Sequence, residues 1–327
     1  MGSFKNEFAW SASRGGMLEQ CARMFWLRYY GSWGGWEKNA HPGRRIAYRL
    51  GKMTGIPRWR GSLVHDSLEW GIGRISKRLP LTLQLLQDRA VNSMKTGWRQ
   101  SRGALWVRDP KRNVMLFEHY YIGDTEDVQR QSRVARVAVE CALQRWWDQG
   151  WHEVLQRLAV DDWVELEGLG TVTFRGVTIY VQPDLAYWRD GLLMVVDWKT
   201  GRPKPADDVQ VLIYAIWAIK VKKVPMSQIR TQLVYLGADG SEKTAKVTEP
   251  DLRAFAERLW ADIEGAQKRL SHVGRNEARA RDFPKTTNLG TCARCDFKQL
   301  CHGRKEYPGP AIAEDPMLIE EAESWPK

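Results

Sequence analysis

From Asp161 onward the hydrophobic period of the chain changes, and this change limits the folds it can adopt. The segment WVELEGLGTVTFRGVTIYVQPDLAYWRDGLLMVVDWKT alternates apolar and polar residues and is rich in Val, Thr and Ile, which predicts successive strands joined by tight turns. Within it, LLMVVDW is a short continuous apolar run, typical of a strand buried on both faces. Residues 11–30, 125–158 and about 249–270 instead have apolar residues at helical spacing. The sequence therefore predicts an α/β protein.

Length and composition narrow the functional classes. The 327 residues, 43% of them hydrophobic, are enough for one large or two ordinary domains with a hydrophobic core. No apolar run is long enough to cross a bilayer, and the first residues, MGSFKNEFAW, lack the apolar core of a secretory signal. We therefore expect a cytoplasmic protein without a membrane partner. The net charge of +11 indicates a polyanionic partner, most often nucleic acid.

Two acidic residues and a lysine mark the ends of neighbouring predicted strands. Asp184 follows Pro183, Asp197 closes the LLMVVD run, and Lys199 lies two residues further on, on the same side of the strand. Carboxylates at one sheet edge suit Mg²⁺ or Mn²⁺, and a lysine beside them can orient a water or offset charge on a phosphate. The alternative is a solvated salt bridge at a strand end.

Two further motifs lie in the helices around this edge. Gln210 and Tyr214 are four residues apart on one face of the predicted helix ADDVQVLIYAIWAIK, which we expect to be capped by Asp207 or Asp208. Upstream, G-x3-H places His65 near the start of a helix predicted to begin after Gly61. A lone histidine is more often structural than a ligand.

Three cysteines near the end of the sequence predict a metal site. The run TCARCDFKQLC holds Cys292, Cys295 and Cys301. In a reducing compartment, clustered cysteines are more often metal ligands than disulfides. Such sites usually have four ligands. Of the other cysteines, Cys141 lies in an apolar helical pattern and is expected to be buried and free. The spacing fits [4Fe–4S] and structural Zn²⁺ equally.

The ordered series GSLVH, QPDLAY, VVDWKTG and VQVLIY resembles the PD-(D/E)XK nuclease superfamily, and more narrowly its RecB-like branch. The resemblance covers residues 11 to about 301. It implies a restriction-endonuclease-like core, in which helices flank a central mixed sheet, with a helical insertion. It also implies a role for each matching motif residue: metal ligation by His65, Asp184 and Asp197, catalysis by Lys199, and support of the site or DNA contact by Gln210 and Tyr214. The sequence departs from the family pattern at Gln182, where many relatives have Gly. This difference affects the expected geometry of the neighbouring turn but not the assignment of the Asp184 carboxylate.

The resemblance also implies an occupant for the cysteine site. Iron–sulfur members of this branch carry one cysteine before the histidine motif and three after Q-x3-Y, which assigns Cys21 as the fourth ligand. A [4Fe–4S] cluster is then the expected occupant, with Zn²⁺ second. It would join the N- and C-terminal segments, and closing so long a loop would stabilise the fold if the disulfide relation holds. No redox step is expected in hydrolysis.

The expected function is that of a metal-dependent deoxyribonuclease, an exonuclease acting on single-stranded DNA or DNA ends. Similar family members are CRISPR-associated RecB-like exonucleases, phage and repair exonucleases, and the nuclease domain of AddB. The absence of a Walker A motif leaves unwinding to a separate helicase, and CRISPR integration proteins are the other expected partners. The alternatives are a catalytically silent DNA- or protein-binding module and a zinc-stabilised enzyme of different chemistry.

Five segments follow from these motifs: residues 1–60 with the first cluster cysteine, 61–160 as a helical DNA-contacting region, 161–270 as the nuclease core, 271–305 as the cluster segment, and 306–327 as an acidic, Pro-rich tail. Within the helical region, residues 95–112 are strongly basic and are predicted to grip the DNA backbone. The predicted contacts are Arg99, Arg102, Arg108, Lys111 and Arg112, with Trp98 and Trp106 as stacking surfaces. A solvated loop and ordinary tryptophan packing are the alternatives.

Overall fold

The computed structural model describes residues 5–237 and 240–303. The predicted acidic tail, residues 306–327, lies outside these residues. The strands are β1 (Ala9–Trp10), β2 (Trp163–Leu166), β3 (Gly170–Phe174), β4 (Val177–Val181), β5 (Leu185–Arg189), β6 (Leu192–Lys199), β7 (Ile229–Tyr235) and β8 (Glu242–Lys246). The α-helices are α1 (Ala12–Gln20), α2 (Ala22–Trp26), α3 (Pro42–Leu50), α4 (Ile56–Ser76), α5 (Leu83–Arg102), α6 (Phe117–Tyr121), α7 (Glu126–Asp148), α8 (Trp151–Gln156), α9 (Pro205–Lys220), α10 (Glu249–Gln267), α11 (Leu289–Ala293) and α12 (Lys298–His302).

The strands form two sheets. The larger has the order β2-β5-β6-β7-β8, and β6 and β7 are parallel while the other neighbours are antiparallel. Helix α9 makes the crossover between the two parallel strands, as parallel pairs require. The smaller sheet has the order β1-β4-β3. This mixed α/β architecture confirms the predicted fold class.

Both faces of the larger sheet are covered, which explains the continuous apolar run of β6. Helices α4, α5, α7 and α8 share one core with Val196 and Trp198, whereas α9, α10 and the N-terminal helices share the other with Leu193 and Val195. Because side chains alternate along a strand, Asp197 points toward α9. The end of β6 is therefore flanked by α4 on one face and α9 on the other.

Three helix boundaries differ from the prediction. The single helix expected over residues 11–30 is interrupted at Cys21, whose backbone is extended (φ −164°, ψ 113°). Helix α4 begins at Ile56, so Gly61 and the predicted segment boundary there lie inside a continuous helix. Helix α9 begins at Pro205, and Asp207 accepts a hydrogen bond from the Lys204 N–H (2.9 Å) inside the first turn instead of forming the cap itself.

Cys141 was expected to be buried, and this prediction is wrong: the residue is exposed on α7. The buried stripe of that helix contains Ala135, Val139 and Ala142. Cys141 instead follows the exposed Val134 and Val137 at helical spacing. In the part of the chain that the structure describes, no helix combines the length and apolar character needed to span a membrane.

Candidate active site

The two predicted carboxylates lie side by side at the end of β6. Strands β5 and β6 are antiparallel with Leu185 opposite Val196, so Asp184, just before β5, lies beside Asp197. The backbone N–H of Trp198 donates to Asp184 Oδ2 (2.6 Å). Only 5% of Asp184 and 1% of Asp197 is exposed. Buried carboxylates are costly unless they are paired or bind a cation, which makes this strand end a candidate site.

Helix α4 brings His65 to the same place. Its Nδ1 lies 3.2 Å from Asp184 Oδ1. Steric crowding explains why the first residue of the G-x3-H motif is glycine. A Cβ at Gly61 would lie 3.2 Å from Thr200 Oγ1, closer than ordinary van der Waals contact. Glycine therefore lets α4 approach the residue that follows Lys199.

A third acidic residue, Glu167, completes a compact group that the sequence reasoning missed. The ligand atoms of His65, Glu167 and Asp184 all lie within 4.8 Å of one another. Glu167 has φ +50° in the turn after β2, and its N–H donates to the Asp184 carbonyl (3.1 Å). Gln182 holds it from the other side, since its amide donates to Glu167 Oε2 (3.2 Å). Two carboxylates and an imidazole fit a divalent cation.

Asp197 is not a member of that group but the centre of a second one. Lys199 Nζ lies 2.6 Å from Asp197 Oδ2, and the Tyr214 hydroxyl lies 2.9 Å from Asp197 Oδ1 and also 2.9 Å from the Gln182 carbonyl. Gln210 links the group: its Oε1 accepts from Lys199 Nζ (2.6 Å) and its amide donates to the Tyr214 hydroxyl. The DWK strand and the Q-x3-Y helix thus meet over one edge.

Burial and neighbouring charge alter the acid–base behaviour of the site. Burial raises the pKa of Asp184 to about 7, and the Asp197 carboxylate adds to this rise while His65 opposes it. For His65, burial lowers the pKa, but the carboxylates of Asp184 and Glu167 outweigh it and leave the pKa well above its usual value. Burial also raises the pKa of Tyr214, so this hydroxyl stays protonated. A cation that binds here therefore competes with a proton for the Asp184 carboxyl.

Glu167→Gln should weaken Mn²⁺ binding by about 10–100-fold, the range found when a metal site loses a supporting residue, because the amide keeps the size of the side chain but not its charge. Isothermal titration of Mn²⁺ into the full chain measures the effect. Glu165→Gln is the matched control: Glu165 lies two residues earlier and pairs with Lys222 (3.2 Å). Equal Mn²⁺ affinity for the wild type and Glu167→Gln would remove Glu167 from the cation site.

The four predicted cluster cysteines line one small cavity. Cys21 lies there together with Cys292, Cys295 and Cys301. The interruption between α1 and α2 lets Cys21 Sγ accept from the Met24 N–H (3.5 Å), and Cys295 Sγ accepts from the Phe297 N–H (3.4 Å). Burial raises the pKa of Cys295 to about 12. Among the described residues, no three of these sulfurs lie within 4.8 Å of one another.

The predicted DNA contacts fall in three different environments. Trp106 is buried, 3% exposed, and its indole N–H donates to the Ser101 carbonyl (3.3 Å); its prediction as a stacking surface is therefore wrong. Trp98 is half-buried with its ring against His119 (4.2 Å between centroids). The predicted basic contacts are all exposed, on α5 or in the segment after it: Arg99, Arg102, Arg108, Lys111 and Arg112.

A comparison with known protein families identifies the family of the chain. The family model described as the PD-(D/E)XK nuclease superfamily matches residues 9–302. The search of curated proteins found no match. The matched range holds both groups at the end of β6 and all four cysteines of the cavity.

Proposed function

Since the chain belongs to the PD-(D/E)XK nuclease superfamily, we propose that it is a metal-dependent deoxyribonuclease that degrades single-stranded DNA or DNA ends as an exonuclease. The observation that carries the proposal is the contact between Lys199 and Asp197 (2.6 Å) at the strand end where Asp184, Glu167 and His65 converge. A lysine beside buried carboxylates can stabilise the charge that develops on a phosphate during metal-dependent hydrolysis.

Asp184 and Asp197, with His65 and Glu167, would hold Mg²⁺ or Mn²⁺. The donor set of oxygens and one imidazole nitrogen suits these cations. Burial, to which the neighbouring Asp197 carboxylate adds, raises the pKa of Asp184, and a bound cation would offset the cost of ionising that buried carboxyl. When bound, the cation acts as a Lewis acid toward the phosphate and lowers the pKa of water.

The chain's own residues would position the reacting groups. Lys199, whose side chain is 19% exposed, can reach solvent and orient a water toward phosphorus. Gln210 holds that ammonium in place by accepting its hydrogen bond (2.6 Å), and Tyr214 holds Asp197 (2.9 Å). Attack by the water would form the new P–O bond while the bond to the departing oxygen breaks, and the proton that the water loses would end on the departing oxygen.

We further propose that the cysteine cavity binds a [4Fe–4S] cluster through Cys21, Cys292, Cys295 and Cys301. Four sulfurs in one cavity are the ligand set of such a cluster. Structural Zn²⁺ can take the same four cysteines as ligands, so the choice of the cluster rests on the resemblance to the iron–sulfur members of the RecB-like branch. The role of the cluster would be structural.

The order of G-x3-H, D-x-K-T-G and Q-x3-Y supports assignment to the RecB-like branch, and this assignment supports the exonuclease activity, the DNA partner, and cooperation with a helicase or with CRISPR integration proteins. Covalently closed and linear single-stranded DNA of the same sequence test the exonuclease activity directly. An exonuclease degrades the linear form and spares the circle. Equal degradation of both would show endonuclease action, and labels at the 5′ and 3′ ends of the linear strand would report polarity.

A further inference from the structure

A basic groove runs between α5 and α7, and the residues that line it are different from those of the candidate active site. It has a volume of about 590 Å³ and is open to solvent. Five cationic side chains line it: Lys95, Arg99 and Arg102 from α5, and Arg133 and Arg136 from α7. We call it the α5–α7 groove. On each helix the cations recur at intervals of three or four residues, so neighbouring cations in a row are about one helical turn, ~5.4 Å, apart along the helix axis. The two rows line the same groove.

The positive charge of the groove is only partly compensated. No acidic side chain lines it among the residues that the structure describes. From the flanks, Asp124 approaches Arg102 (3.5 Å) and Glu140 pairs with Arg136 (3.1 Å).

The remaining three cations, Lys95, Arg99 and Arg133, have no carboxylate within 4 Å in the described part of the chain, 5–237 and 240–303. Like charges held across a groove repel one another. An anionic ligand would relieve this repulsion.

The groove also has an aromatic wall. Trp98 lines it beside the apolar Met94 and Val91. The ring of Trp98 packs edge-on against His119, with 4.2 Å between the ring centroids, and this contact limits the freedom that the ring would lose when a ligand binds. Rows of cations that follow a phosphate backbone, combined with an aromatic ring on which a base can stack, are the features by which proteins bind single-stranded nucleic acid.

We propose that the α5–α7 groove binds a single DNA strand, with its phosphates on Arg99 and Arg133 and a base on Trp98. The choice of DNA rests on the proposed nuclease function. Helices α5 and α7 both pack on α4, which carries His65, so the groove lies on the same helical layer as the active-site histidine. It gives the protein a second contact with the strand outside the catalytic centre.

The test is strand binding by the full chain in EDTA, measured by fluorescence anisotropy with a labelled oligothymidylate of about twenty nucleotides. Arg99→Ala/Arg133→Ala should lower affinity about tenfold and make the plot of log K against log salt shallower by about 1.4, since each phosphate contact on a single strand contributes about 0.7 to the slope. Arg130→Ala is the matched control: Arg130 is on α7, outside the groove, and pairs with Asp127. It should change neither quantity.

Photocrosslinking with 5-iodouracil in the strand provides the second measurement, and the crosslink is expected on the peptide that contains Trp98. An unchanged salt slope in the double variant, or a crosslink confined to other peptides, would overturn the proposal. So would an equal loss of affinity for a duplex of the same length, or equal competition by polyglutamate, which would show a duplex or an acidic protein as the ligand. Because no cleavage occurs in EDTA, a failure of the proposed function would instead appear as strand binding without cleavage when metal is restored.

Discussion

Lys199→Ala is expected to lower DNA cleavage by about 10²–10⁴-fold, the range for removing a positioned proton-transfer or charge-stabilising group. The ammonium lies 2.6 Å from Asp197 Oδ2 and 2.6 Å from Gln210 Oε1, so its loss leaves the acceptors in place but removes the charge that would orient the water. DNA binding should be largely intact, because this is one cation at the catalytic centre. Initial rates on labelled DNA and anisotropy in EDTA measure the two properties separately.

Lys246→Ala provides the control for the loss of one positive charge, since Lys246 is exposed on the edge strand β8. It should cleave DNA at the wild-type rate. Wild-type cleavage by Lys199→Ala would remove the lysine from catalysis. A parallel loss of DNA binding and cleavage in Lys199→Ala would make it a substrate-binding residue instead.

Cys21→Ala is expected to have the largest effect on stability. Cys21 is 271 positions from Cys292 in the sequence, and yet both line the same cavity. A cluster that joins them would close a loop worth about 5–6 kcal/mol of unfolding free energy by the disulfide relation, a large share of the ~5–15 kcal/mol typical of a folded domain. Iron and sulfide analysis of protein purified without oxygen, followed by denaturant unfolding, should show loss of the cluster and this fall in stability.

Cys141→Ala is the natural control, since it removes a cysteine that is exposed on α7. It should keep about four irons per chain and unfold at the same denaturant concentration as the wild type. If Cys141→Ala lost the iron and Cys21→Ala kept it, the choice of fourth ligand would be wrong. Zinc in place of iron in the wild type would mean that the four cysteines still join the N- and C-terminal segments through a metal, but that this metal is zinc.

The strand end could be predicted from the sequence because its geometry is local. The period of two places Asp197 and Lys199 on one side of β6, and the helical period places Gln210 and Tyr214 on one face of α9. The crossover between parallel strands then brings that face over that edge, as the 2.6 Å contact between Lys199 and Gln210 shows. The position of Asp184 beside Asp197 depends in addition on the register between the antiparallel strands β5 and β6.

The features that were missed depend on tertiary structure or on a competing pattern. Glu167 reaches His65 because Glu167 has a positive φ and its N–H donates to the Asp184 carbonyl. The sequence Glu167-Gly168 alone does not indicate this conformation. Cys21 lies within an apolar helical pattern that conceals the break needed to aim its sulfur. In α7 the exposed residues Val134, Val137 and Cys141 are themselves apolar and recur at helical spacing beside the buried stripe, so the periodicity of the sequence did not show which of the two is buried.

Digestion of end-labelled single- and double-stranded DNA, with Mn²⁺, Mg²⁺ or EDTA, by the wild type and Asp197→Ala tests the central claim most directly. Asp197 is buried at the centre of the Lys199 and Tyr214 contacts, so the account predicts cleavage by the wild type with either metal and none in EDTA or in the variant. A folded, cluster-loaded wild type that cuts no DNA with either metal would contradict it, and the protein would then be a binding module built on a nuclease fold.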